Sequence, residues 1–119
     1  MVQPGVVEDI DKAEAWLLMQ LRKNDEDFVI LDVRSPFHFK TGHLKGAVNL
    51  EYVSPFSFED RLESLDKSKT YLVYCYGGGL SAEAATVMEE EGFEKVYNLR
   101  EGFNGWQKAE CLADCRRAA

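Results

Sequence analysis

The chain has 119 residues and a mass of 13.5 kDa, a length that predicts one compact domain over 1–119 and leaves no room for a second of ordinary size. Its 45% hydrophobic and 12% aromatic residues argue against disorder, and a net charge of −7 argues against a nucleic-acid partner, which would call for a basic patch. No basic region followed by an apolar one opens the sequence and no stretch is apolar enough to cross a bilayer, so a soluble, cytoplasmic protein with no membrane partner is expected.

Read in chain order, Val6-Val7 suggests a short edge strand, and Asp9 or Asp11 caps a helix to about Lys23 that carries Ala13, Trp16, Leu17 and Leu21 on one face. Trp16 and Trp106 are expected in or near the core. Phe28-Val29-Ile30-Leu31 is a continuous apolar run of the kind buried on both faces of a parallel sheet, and Asp32-Val33-Arg34 stands at its carboxyl end. A turn at Pro36 and a short helix lead to a strand over 47–50, then a helix from Phe58 to Leu65. Tyr71-Leu72-Val73-Tyr74 is the next strand and runs into Cys75. A helix from Ser81 to about Glu91, closed by Gly92, precedes the strand Val96-Tyr97-Asn98-Leu99 and a last helix that holds Trp106. This alternation predicts an α/β fold: a mostly parallel central sheet of about five strands, flanked by helices on both faces, with its site at the carboxyl ends of the strands.

The cysteines number three: Cys75, Cys111 and Cys115. They are too few for a disulfide framework, and a four-ligand zinc site built on them would need a histidine as well, so no metal site is expected. Cys75 differs from the other two in its neighbours. Tyr76-Gly77-Gly78-Gly79-Leu80-Ser81 reads as a flexible loop and a helix start, which together can turn backbone N–H groups onto one point. Amides and a helix N-terminus stabilise a thiolate or a terminal persulfide sulfur without a cationic side chain. A buried structural cysteine beside a plain turn is the competing reading, and Cys before a glycine loop and a helix start favours the nucleophile.

The segment from Asp32 to Asn49, with Asp32-Val33-Arg34, Gly42-His43-Leu44 and Gly46-Ala47 in order, closely resembles the first signature of rhodanese domains. Cys75 to Leu80 followed by Ser81 resembles the family's catalytic loop, and Leu99 to Trp106 its closing glycine and tryptophan motif. The resemblance, to a single-domain rhodanese, covers nearly the whole chain. It implies a rhodanese-like fold and a sulfurtransferase without a cofactor, in which Cys75 takes a sulfane sulfur from thiosulfate or a persulfide and passes it to a thiol or cyanide. Tyr76, Gly77, Gly78, Gly79, Leu80 and Ser81 would then form the substrate loop, with Asp32 and Arg34 as supporting residues.

Two departures qualify this expectation. Many active rhodaneses carry basic residues in the loop, whereas Tyr76 and Leu80 stand here and no charged residue occurs from Leu72 to Ala82. Weak use of thiosulfate and preference for a less charged or protein-bound persulfide are therefore expected, and a rhodanese-like interaction or sulfur-sensing module with little turnover is the alternative. His38 occupies a position where the family usually has glutamate and reads as a helix-surface residue, while His43 reads as a structural hydrogen-bonding one. Cys111 and Cys115 would share a face if helical, yet a pair of tail cysteines is more often incidental than a sulfur relay. Phosphatase or arsenate-reductase chemistry is disfavoured because Ser81 stands where an oxyanion-clamping arginine would be needed.

Overall fold

The structure, a computed structural model, describes residues 7–107. In chain order these form β1 (Val7–Ile10), α1 (Lys12–Leu21), β2 (Phe28–Asp32), α2 (Pro36–Thr41), β3 (Val48–Asn49), α3 (Pro55–Leu62), β4 (Thr70–Tyr74), α4 (Gly79–Glu90), β5 (Lys95–Leu99) and α5 (Gly102–Gln107). The five strands make one sheet in the order β1-β5-β4-β2-β3, and every neighbouring pair is parallel. This is the expected α/β architecture.

Two cores form, one on each face of the sheet. Phe58 and Leu62 of α3 and Ala84, Ala85 and Met88 of α4 pack on Leu31, Tyr71, Val73 and Val96. Ala15 of α1 and Phe103 and Trp106 of α5 pack on Ile30, Leu72, Tyr74 and Leu99 from the other side. Alternate residues of β2 and β4 thus point into opposite cores, which is why both strands are apolar without a break. The central strand β4 is the most deeply enclosed, with Tyr71 to Tyr74 essentially inaccessible, and it delivers Cys75 at its carboxyl end.

Three expectations need correction. The buried face of α1 carries Ala15 with Leu18 and Met19 packed beside it, whereas Ala13 and Leu17 are exposed, Leu21 is 75% exposed and Trp16 37% exposed. Both faces present apolar residues at helical spacing, and the one with small Ala15 fits closest to the sheet. Helix α3 begins at Pro55 rather than Phe58, because Ser54 caps it through a bond from Ser57 N and Pro55 fits the first turn. Helix α4 begins at Gly79 rather than Ser81, so the free loop after Cys75 is only Tyr76 to Gly78. Asp11 caps α1 in a reciprocal capping box with Glu14, Gly92 takes φ +92 just beyond α4, and Trp106 is buried as expected. Among the described residues no helix is long and apolar enough to cross a membrane.

Candidate active site

Cys75 is buried at the point where β4 gives way to the loop. Gly78 turns the chain back with φ +96 and serves as the N-cap position of α4. The turn aims two amides at one atom: Gly78 N donates to Cys75 Sγ over 3.1 Å and Ser81 N over 3.3 Å. The sulfur therefore occupies the place a side-chain oxygen usually takes at a helix N-terminus, where free N–H groups and the helix dipole favour negative charge.

The loop's carbonyls point the other way. Phe103 N donates to Cys75 O over 2.8 Å and Asn104 N to Tyr76 O over 2.9 Å, so the first turn of α5 takes up the oxygens that would repel an anion. That contact is so close that a Cβ on Gly102, whose φ is +67, would fall inside 3.0 Å of the Tyr76 carbonyl. The glycine of the closing motif is thus a seat for the cysteine loop.

Ser81 was expected in the substrate loop at the helix start, and its backbone N–H faces the sulfur. Its side chain turns inward, where Oγ donates to Asn98 Oδ1 over 2.6 Å. Asn98, buried in β5, in turn donates from Nδ2 to Asp9 Oδ1 over 2.9 Å, which ties β1, β5 and the head of α4 together. Sequence reasoning missed Asn98, although a lone amide inside an apolar strand is a signal for such a network.

Asp32 and Arg34, the expected supporting residues, are both buried and pair with each other. Arg34 Nη2 lies 2.7 Å from Asp32 Oδ2, Nε donates to both carboxylate oxygens over 3.1 Å, and Nη2 also donates to Gly42 O over 2.6 Å. The guanidinium lies 4.5 Å from the Phe103 ring centroid. Burial opposes its charge, but the hydrogen bonds and charge of Asp32 outweigh that and hold the Arg34 pKa above its ordinary value.

A pocket of about 480 Å3 opens over the sulfur, lined by Arg34, Ser35, His38, Cys75, Tyr76, Gly77, Gly79 and Leu80. Tyr76, 57% exposed, is held by a bond from its hydroxyl to Asn104 Oδ1, and Leu80 is likewise half-open, so the mouth is apolar. Arg34 brings a cation to the wall from outside the loop, although Asp32 balances it. His38 is exposed on α2, as expected of a helix-surface residue, and it also stands on the pocket rim, with Nδ1 2.9 Å from Ser35 Oγ. Ser35 is also the N-cap of α2, and the three-residue spacing of Ser35 and His38 was the available signal. His43 Nδ1 lies 2.8 Å from Phe39 O and the two rings stack at 3.8 Å, the geometry of a structural residue. Cys111 and Cys115 lie outside the described residues. A smaller cavity of about 280 Å3 is lined by Trp16, Arg22, Lys45 and Trp106 among others, with no thiol or carboxylate.

A family model described as Rhodanese-like domain matches residues 14–109. The chain belongs to the rhodanese-like domain family. Among other rhodanese-family proteins it is similar to the thiosulfate sulfurtransferase GlpE of Coxiella burnetii (strain RSA 331 / Henzerling II), 35% identical over 108 residues that span 91% of this chain and 94% of that protein. It is also similar to the thiosulfate sulfurtransferase GlpE of Glaesserella parasuis serovar 5 (strain SH0165), 33% identical over 86% of this chain and 88% of that one. Two solved structures share the rhodanese fold with it. The Alr3790 protein from Anabaena sp. has a TM-score of 0.67 at 30% identity, over 82% of this chain and 73% of that one. A rhodanese-related protein from Thermoplasma volcanium has a TM-score of 0.66 at 24% identity, over 83% and 89%.

Proposed function

We propose that this rhodanese-type sulfurtransferase carries sulfur as a persulfide on Cys75. The observation that carries the reading is the pair of N–H donors, from Gly78 and Ser81, that meet Cys75 Sγ at the floor of the pocket. In the first half of the cycle the Cys75 thiolate attacks the outer sulfur of a donor. A new S–S bond forms to Sγ, the donor's own S–S bond breaks, and its electron pair leaves with the remainder of the donor, sulfite in the case of thiosulfate. In the second half a thiolate or cyanide attacks the outer persulfide sulfur and regenerates the Cys75 thiolate. Each half places negative charge on a sulfur near the floor of the pocket, where the amides of the loop and of the α4 N-terminus stabilise it without rearranging.

The mouth further favours a donor of low charge. Tyr76 and Leu80 offer it no cation, and Arg34 is matched by Asp32. A less charged or protein-bound persulfide, delivered to a thiol acceptor, fits this mouth better than doubly charged thiosulfate. The test is intact-protein mass before and after exposure to each donor. Wild type is expected to gain one sulfur atom that cyanide removes, and Cys75→Ser to gain none. Retained transfer by Cys75→Ser would refute the persulfide reading, and a higher kcat/KM for thiosulfate than for glutathione persulfide at neutral pH would refute the preference.

A further inference from the structure

His38 sits on the rim of the pocket that holds Cys75, and its ring is held in place there. Nδ1 is engaged with Ser35 Oγ at 2.9 Å and the Phe37 ring packs against it in a T-shaped contact, 5.6 Å between centroids. With Nδ1 taken, Nε2 is the nitrogen left for a ligand. The other basic side chain lining the pocket, Arg34, already has its charge met by Asp32. Histidine, by its chemistry, changes charge between pH 5 and 8. The charged and titratable groups around it are Arg34 with Asp32 at the end of β2, Cys75 and Tyr76 of the loop, and Lys40 and His43 of its own segment; Gly79 and Leu80 of α4 add none.

We infer that His38 is a specificity-determining residue that reads the charge of the sulfur donor: protonated, it makes the otherwise uncharged mouth cationic and admits a dianion, and neutral, it leaves the mouth to donors of lower charge. The inference rests on the Cys75 persulfide reading and adds a residue to it. The chain from Leu72 to Ala82 carries no charged side chain, and one imidazole on the facing helix supplies a cation that depends on pH. The group recognised is the far end of the donor, the sulfonate oxygens that leave as sulfite, while the loop amides attend to the sulfur that transfers.

The experiment compares thiosulfate, a dianion, with an aryl thiosulfonate, a monoanion that yields its outer sulfur by the same attack and leaves as a sulfinate. In a double-displacement cycle kcat/KM for the donor reports the loading half alone, and ionisation of Cys75 enters both donors equally, so the thiosulfate-to-thiosulfonate ratio isolates the reading of charge. The ratio is measured from pH 5.5 to 8.5. For wild type it is expected to fall roughly five- to tenfold as pH rises, the scale of one partly screened charge contact. His38→Gln, which keeps a hydrogen-bonding side chain, should give a low ratio that does not change with pH, and His38→Arg a high ratio that does not change with pH. A pH-independent ratio in wild type, or a His38→Gln profile that tracks wild type, overturns the inference while leaving Cys75 loading intact. Loss of sulfur loading on Cys75 itself would instead overturn the reading on which it rests.

Discussion

Three adjacent glycines come after Tyr76, and the geometry assigns the conformational demand to the middle one. Gly78 alone of the three has a positive φ, +96, and a Cβ built on it would lie 3.0 Å from Arg100 C, 3.4 Å from Leu99 O and closer still to Arg100 O. Gly77 and Gly79 have open space where a Cβ would go. In Gly78→Ala, an alanine held at that φ costs roughly 1–3 kcal/mol, and forcing the β5 end away from the new methyl costs roughly another 1–3 kcal/mol. The expected loss is therefore roughly 2–6 kcal/mol, or a fall in Tm of roughly 8–24 °C for a domain between the small and medium size classes. Gly77→Ala and Gly79→Ala should be neutral or stabilising by up to about 1 kcal/mol, through a less flexible unfolded chain. Thermal and urea unfolding monitored by circular dichroism measures all three, and persulfide loading by mass reports on the site. Because Gly78 N is one of the two donors to the sulfur, Gly78→Ala should also load poorly in buffer where it remains folded. A Gly78→Ala protein that melts within about 3 °C of wild type, or a Gly77→Ala protein that falls as far, refutes the assignment.

Breaking the buried pair by Asp32→Asn or by Arg34→Met should each cost roughly 3–5 kcal/mol in urea unfolding, while the double variant should recover part of that loss; a double variant at the sum of the two would show that the pair is not coupled. Burial, and then the charge of Asp32, raise the pKa of Tyr74, whose hydroxyl accepts from Leu44 N over 3.0 Å. A phenol whose pKa is raised in the folded state gives stability that is complete below the unfolded value of about 10 and is lost as pH climbs above it. The urea midpoint of wild type should thus fall between pH 10 and 11.5 more steeply than that of Tyr74→Phe, and equal slopes would exclude Tyr74 as the cause.

The strands of the central sheet were readable because a strand buried on both faces leaves an unbroken apolar run, as Phe28 to Leu31 and Tyr71 to Tyr74 do. Cys75 was readable for a different reason, since glycines beside a helix start mark a backbone turned toward one point. The face of α1 was not, because Trp16, Leu17 and Leu21 compete with Ala15, Leu18 and Met19 at the same period, and the choice is made by the sheet. The start of α4 was placed two residues late because Gly78 caps the helix with its backbone rather than with a side chain. The partnership of Ser81 with Asn98 depends on how β5 lies beside β4, with Val73 opposite Asn98, and no local pattern carries that register. The surface position of His38 was legible, but its place beside the pocket was not, since Ser35 orients the ring only once α2 has formed.

The way α5 draws off the carbonyls of Cys75 and Tyr76 has a consequence for range. With its oxygens turned to Phe103 N and Asn104 N, the loop presents donors on one side only, and its attraction for an anion is that of dipoles. Such a field fades within about a helical turn, whereas the chain's net charge of −7 acts over roughly a Debye length of 10 Å at 0.1 M salt. A small anionic donor is therefore repelled on approach and held only on contact, so the pocket captures rather than steers. A donor brought to the mouth by its own apolar contacts with Tyr76 and Leu80 passes that barrier at little cost, and raising ionic strength should quicken loading from thiosulfate while leaving such a donor nearly unaffected.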